Sequence, residues 1–289
     1  MINNDLTLMH RRFAADIRIE ALRAMHSFGS GHVGGSMSIA DALAVLYGSV
    51  MKYDANNPLW EERDRLVMSK GHCGPALYAA LALKGFFPIE KLSTLNQPGT
   101  ILPSHCDRLR TPGIDVSTGS LGQGASLACG LAMAGKMKKQ DHIVYGILGD
   151  GELQEGEVWE AFQLSAARGL DNLVYIIDRN KMQLDGFTED ISPLEPLKEK
   201  LEAFRFEVKE CDGHNVDEIY ESLSALRVIR DRKPKALILH TEKGAGYLAA
   251  ERAAKCHFMS ISDEDFAEGI SEIERRFNEG LPVCGEVNR

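Results

Sequence analysis

Leu6, Met9, Phe13, Ile17, Ala21 and Ala24 recur every three or four positions, which is the spacing of one face of an α-helix. The pattern stops at Gly29 and Gly31, residues that end helices readily. A second helix is predicted from near Ser38 through IADALAVLYGSVM, so the intervening GSGHVGGS reads as a helix-to-helix loop rich in backbone donors. RLVMS (65–69) reads as a short strand, followed by KGHCGP and a small-residue helix, ALYAALALKG. Residues 122–138 form another glycine- and alanine-rich helix, whose approach, GSLGQGAS, permits close backbone contact. The small-residue stretches 74–85 and 122–135 suit tight helix packing, either against a partner or inside a crowded core.

From residue 143 the pattern becomes regular. IVYGIL is a strand, GDGELQEG a loop, EVWEAFQLSAARG a helix, LVYIID a strand and RNKMQLDG a loop. That is one βαβ unit with an expected right-handed crossover. RFEVKEC, NVDEIYESLSALRVIRD and KALILHTE form a second. The predicted fold class is α/β, a mostly parallel central sheet with helices on both faces. Residues 262–280 read as a closing helix, and no repeat, low-complexity tract or Pro/Ser linker divides the chain. One domain over residues 1–289 is therefore expected.

The 289 residues are 44% hydrophobic, 26% charged and 7% aromatic, which excludes disordered, coiled-coil and collagen classes. The 27 glycines cluster at 29–35, 119–124 and 149–156, as ligand-binding loops do. With 33 basic against 42 acidic residues, a net charge of −9 and no basic run, a nucleic-acid partner is not expected. MINNDLTLMHRRF lacks the apolar core of a signal peptide, and no stretch of about 18 apolar residues suggests a membrane span. A cytoplasmic location is expected. The six cysteines lie more than 20 residues apart with no C-x-x-C pair, which disfavours zinc and disulfide frameworks.

In a parallel sheet, ligands bind beyond the carboxyl ends of the strands. Gly149-Asp150-Gly151 follows one predicted strand, and Asn180 follows the next, 30 residues on. A carboxylate and an amide oxygen at neighbouring tips are hard ligands suited to Mg²⁺ or Ca²⁺, and Mg²⁺ usually keeps a phosphate in its shell. The helix beginning near Glu157 would aim its positive end there. Equally, both residues suit ordinary strand-to-helix turns. Neither the dinucleotide nor the P-loop fingerprint occurs. His32, His72, His105 and His257 lie in irregular segments, where neutral imidazoles suit proton transfer and hydroxyl recognition. A solvated loop position is the competing account of each. His214, in DGHN, belongs to a turn, and His10, His26, His142 and His240 are assigned no role.

Taken together, SGHVGGSMSIADALAVLY, SKGHCGPALYAALALKG, STGSLGQGASLACGLA, GDGELQEGEVWEA and IIDRNKMQLDG resemble, in order, the amino-terminal, diphosphate-binding part of transketolase, over residues 15 to 260. The resemblance implies thiamine diphosphate and Mg²⁺ as cofactors. It assigns Asp150, Asn180 and the Met182 carbonyl to the metal, and Gly151, His72 and His257 to the diphosphate beside Asn180. Gly119, Ser120 and Leu121 would hold the aminopyrimidine, while His32, His105 and His257 would act on the sugar hydroxyls. The implied reaction passes a two-carbon ketol unit from a ketose to an aldose.

Val33 and Ser120 stand where proline is frequent in the family, and ERAAKC before His257 departs from the usual wording. Members that act alone carry two further domains, one supplying a glutamate that activates the cofactor. The chain therefore resembles the N-terminal subunit of a split transketolase. Its implied partner is a C-terminal subunit with the pyrimidine-binding domain, in an α₂β₂ assembly. Alternatives are the α subunit of a 2-oxo acid dehydrogenase, against which GHVGGS and SKGH speak, a deoxyxylulose-phosphate synthase, and a non-catalytic partner on the same fold. A phosphorylated, sulfonated or branched sugar fits as donor.

Overall fold

Leu173, Val174, Tyr175, Ile176 and Ile177 form an uninterrupted apolar run, and alternate residues of a strand face opposite ways, so both sides must be covered. The computed structural model, which describes residues 4–284, provides that cover. The chain runs α1 (Asn4–Phe28), β1 (Ser30–Gly31), α2 (Val33–Ser38), α3 (Ala40–Val45), β2 (Arg65–Met68), α4 (Gly74–Leu83), α5 (Gln123–Met137) and β3 (Val144–Gly149). It continues through α6 (Gly156–Ala167), β4 (Leu173–Arg179), α7 (Thr188–Ile191), α8 (Leu197–Ala203), β5 (Glu207–Asp212) and α9 (Val216–Val228). It closes with β6 (Lys235–His240), α10 (Leu248–Arg252), β7 (Met259–Ser260) and α11 (Asp263–Asn278).

Five strands form one parallel sheet in the order β2-β3-β4-β6-β5. Val174 and Ile176 join Tyr145, Ile147, Leu237 and Leu239 in a core completed by α1, α3, α4 and α9. Tyr175 and Ile177 join Val144, Leu148, Ala236 and Ile238 in a second core beneath α5, α6 and α8. The parallel sheet with helices on both faces is thus the architecture that the strand pattern predicts. An antiparallel pair, β1 with β7, stands apart from it.

Three details differ from the sequence pattern. Helix α1 buries Phe13, Ile17, Ala21 and Ala24 of the expected stripe, but at its start the buried face takes in His10 and leaves Met9 41% exposed. His10 tolerates burial because its Nε2 lies 2.7 Å from Ser49 Oγ. The segment read as a loop, GSGHVGGS, contains the start of α2. Its glycines serve close packing: a Cβ on Gly34 would sit 2.7 Å from the Cys256 carbonyl oxygen. The two small-residue stretches also divide. Helix α4 is buried from Gly74 to Ala82 and belongs to the core, whereas α5 leaves Leu127 41% and Met137 82% exposed. No helix among the described residues is long and apolar enough to cross a membrane.

Gly124, at the start of α5, is where the fold meets the strand tips most tightly. A Cβ there would lie 2.6 Å from Ser69 Cα, and backbone cannot yield cheaply. Gly124→Ala is expected to lower unfolding free energy by about 1–3 kcal/mol, read as a lower denaturant midpoint; an unchanged midpoint contradicts the packing.

Candidate active site

The carboxyl ends of β2, β3, β4 and β6 open into a cavity of about 350 Å³. Strand β2 leads to Lys70 and His72, β3 to Asp150, Gly151 and Glu152, β4 to Asn180 and Met182, and β6 to Lys243. His32, His105, Gly119, Leu121 and His257 reach it from connecting segments. Of the residues singled out in the sequence, Ser120 alone is not in the lining: its side chain is exposed.

Asp178, at the end of β4, is fully buried and organises these tips. Its Oδ2 accepts from Lys70 Nζ, from Ser38 Oγ at 2.6 Å and from Asn180 Nδ2 at 3.2 Å. Thr241 Oγ1 donates to Oδ1. Burial alone would raise this carboxyl, yet the Lys70 ammonium and the hydroxyls hold it below the ordinary value. Because Asn180 Nδ2 is committed to Asp178, the orientation of its amide is set, and Oδ1 accepts from Met182 N–H at 3.1 Å.

Asp150 has the opposite balance. Its carboxylate accepts from Gly151 N–H at 2.8 Å and from Lys181 N–H. Burial, reinforced by the Asp178 charge, pushes its carboxyl up to about 7 against the opposing pull of these N–H groups and of Lys243. A buried carboxylate short of positive charge therefore stands with the Asn180 and Met182 oxygens, the donor chemistry of a hard divalent cation. The Met182 carbonyl accepts from Lys243 Nζ at 3.0 Å. Among the described residues no three His, Cys, Asp or Glu side chains could hold a metal by themselves. A cation here would need further oxygens from water or a phosphate.

Glu152 ties the glycine loop to the sheet. Its carboxylate accepts from Ser69 Oγ, from Gly122 N–H at 3.0 Å and from Gly149 N–H at 3.1 Å. Gly122 adopts φ +88°, which glycine enters without steric cost. Sequence reasoning missed Glu152, Asp178, Lys70 and Lys243. Only Glu152 carried a signal, as the acid directly following the GDG triplet.

The four loop histidines converge. The His32 ring lies 5.3 Å from His72, 5.6 Å from His105 and 5.5 Å from His257, and His72 and His257 are 4.8 Å apart. The β1–β7 pairing of Gly31 with Met259 brings His257 alongside His32. Phe258, 52% exposed, sets its ring edge-on at 5.0 Å from His32. Desolvation, aided by neighbouring positive or imidazole groups, holds His32 and His257 down to about 4 and His72 to about 2. His105 is lowered by burial as well. All four are neutral near pH 7. His257 Nδ1 is buried with no hydrogen-bond partner among the described residues.

Parallel strand tips, oxygen donors short of a cation, glycine loops and neutral imidazoles define an α/β enzyme site for a phosphate-bearing cofactor. The family described as transketolase, thiamine diphosphate binding domain, matches residues 9–277, and the chain belongs to it. It is 50% identical over 275 residues to a 6-deoxy-6-sulfo-D-fructose transketolase subunit of Clostridium sp. (strain MSTE9), covering 95% of this chain and 99% of the relative. It is 40% identical over 247 residues to an apulose-4-phosphate transketolase subunit of Phocaeicola vulgatus, covering 86% and 87%. The solved transketolase from Leishmania mexicana superposes with a TM-score of 0.84 at 32% identity, over 97% of this chain and 42% of that one. The chain thus spans about two fifths of the length of that transketolase.

The histidine cluster predicts a pH dependence. A histidine held below its ordinary 6.5 leaves the unfolded chain binding more protons between the two values, so stability is lost as pH falls from about 6.5 toward 4. Ring-nitrogen NMR of the folded protein should find His32 and His257 neutral at pH 6, with midpoints near 4. Midpoints at 6.5 would contradict their desolvation.

Proposed function

We propose that this chain is the diphosphate-binding subunit of a two-chain transketolase, which passes a two-carbon ketol unit from a ketose to an aldose with thiamine diphosphate and Mg²⁺. The carrying observation is Asp150, buried and short of positive charge beside two oxygen donors, within a cavity that also holds four neutral histidines. The residues fit the cofactor. The His257 ring nitrogen lacks a partner among the described residues, and a Cβ on Gly151 would strike Gln183 at 2.8 Å, so this edge is bare backbone.

When bound, thiamine diphosphate supplies an electron sink for breaking the carbon–carbon bond next to a ketose carbonyl. Asp150, Asn180 Oδ1 and the Met182 carbonyl would hold Mg²⁺, which in turn would grip the diphosphate. His72 and His257 would donate to phosphate oxygens, with Gly151 giving them close backbone approach and Lys243 adding positive charge. Gly119, Ser120 and Leu121 would cradle the aminopyrimidine, Ser120 through its backbone. His32, His105 and His257, kept neutral by desolvation, are able to take a proton from a sugar hydroxyl and return it.

The partner would be a C-terminal subunit carrying the pyrimidine-binding domain, in an α₂β₂ assembly, with this chain contributing one domain in the cytoplasm. Two relatives that match nearly end to end are named as subunits. Leu127 and Met137 of α5 and Leu164 of α6 leave an exposed apolar surface that such a partner would cover. The choice among phosphorylated, sulfonated and branched ketoses is assigned to the second chain. The dehydrogenase and synthase readings are not favoured, because the relatives bear transketolase names.

Activity is expected only on mixing the chain with its partner, and Asp150→Ala should abolish Mg²⁺-dependent thiamine diphosphate binding by the complex in calorimetry. Full activity of the chain alone, or unchanged affinity in the variant, contradicts the proposal. His32→Ala and His105→Ala are expected to cut turnover about 10²- to 10⁴-fold while cofactor affinity is retained. Wild-type turnover in steady-state assays would return these histidines to a passive loop role.

A further inference from the structure

Sequence alone leaves His214 in the turn that enters α9; the structure adds two partners from distant segments. Its Nδ1 lies 2.9 Å from Asp41 Oδ2, and its Nε2 accepts from the Glu242 N–H at 2.9 Å. A backbone N–H can only donate, so Nε2 is the bare nitrogen and Nδ1 carries the proton given to Asp41. Asp41 also takes both terminal nitrogens of Arg18, one at 3.1 Å. Both residues are buried. Burial alone would raise the Asp41 carboxyl, but Arg18 and His214 hold it down to about 2.

Arg18 and His214 share Asp41, and each also grips the segment that leaves β6. His214 takes the Glu242 N–H, while Arg18 Nε donates to the Ala245 carbonyl at 3.0 Å. Between these two points stand Lys243, whose ammonium reaches the Met182 carbonyl, and Gly244, whose N–H donates to Gly34 O at 3.0 Å. A second cavity, of about 390 Å³, is lined by Arg18, Asp41, His214 and Gly246. Lys243, Gly244 and Ala245 are themselves buried, and the hydrogen bonds from His214 and Arg18 tie both ends of this packed segment to α1 and to the turn before α9.

We propose that Arg18, Asp41 and His214 are positioning residues for the transfer reaction: they fix residues 242–245 and so set where the Lys243 ammonium stands against the diphosphate. This rests on the cavity being the diphosphate site. The relay has the form of the outer-shell hydrogen bonds that orient ligands elsewhere, where loss of one partner typically weakens binding 10- to 100-fold.

The test is thiamine diphosphate affinity of the complex with the partner subunit, titrated by calorimetry in Mg²⁺. His214→Gln places a carboxamide oxygen where Nε2 stood and keeps an acceptor for Glu242, giving up the donor to Asp41, which Arg18 still pairs, whereas the shorter His214→Asn keeps only the donor to Asp41. The Asn variant should bind about 10- to 100-fold more weakly, and the Gln variant within about threefold of wild type. In a Lys243→Ala background, His214→Asn should add less than about twofold, because the two act as one unit. Equal losses in the Asn and Gln variants, or the same further loss without Lys243, overturn the relay. Amide exchange gives a second reading without any variant: the Glu242 N–H should be protected in the folded wild-type chain, and rapid exchange there also overturns it. A wild-type complex that binds no thiamine diphosphate would instead defeat the functional reading on which the relay rests.

Discussion

A carboxylate kept charged at zero exposure is expensive unless every lone pair is met, and Asp178 meets that demand by drawing four segments together. Ser38 comes from the end of α2, Lys70 from the exit of β2, Asn180 from the exit of β4 and Thr241 from the exit of β6. Satisfying one charge therefore fixes the relative positions of three strand tips and a helix. Removing one partner of such a pair costs about 3–5 kcal/mol, because the other charge is left uncompensated. The Asp178 charge also shapes the site's polarity: together with burial it raises the neighbouring Asp150 carboxyl. The fold thus sets a carboxylate that favours a cation next to an anion already satisfied.

This hub was invisible in the sequence, where Asp178 is merely the last residue of LVYIID. Its partners lie 140, 108 and 63 positions away, apart from the nearby Asn180, and no local pattern encodes them. The strands themselves were legible, since β3 and β4 are apolar on both faces and only a sheet covered twice accommodates that. Asp150 and Asn180 were legible as neighbours for the same reason: one βαβ unit separates them. Helix α2 was not, because Gly34 and Gly35 suggest a flexible loop when they in fact permit contact with Cys256 and Cys73. The histidines could be chosen by their irregular surroundings, but their convergence depends on the β1–β7 pairing of two-residue strands, too short to leave a sequence pattern.

The proposed function would ask two things of the site's electrostatics. Negative charge would be met by Lys243, by His72 and His257 and by the cation that Asp150 would hold. Proton traffic would fall to His32, His105 and His257, which desolvation keeps neutral, His257 also reaching the phosphates. Glu152 holds the glycine loop against the tip of β3 by binding the backbone of Gly122 and Gly149 at once.

The proposal stands or falls on Asp150, Asn180 and Met182, which would hold a cation beside the diphosphate. Anomalous scattering from crystals of the two-chain complex grown with thiamine diphosphate and Mn²⁺ in place of Mg²⁺ tests it directly. The account predicts one strong peak within coordination distance of an Asp150 carboxylate oxygen, Asn180 Oδ1 and the Met182 carbonyl oxygen, continuous with diphosphate density. Clear density for the diphosphate without that peak, or a peak away from these three oxygens, would contradict it.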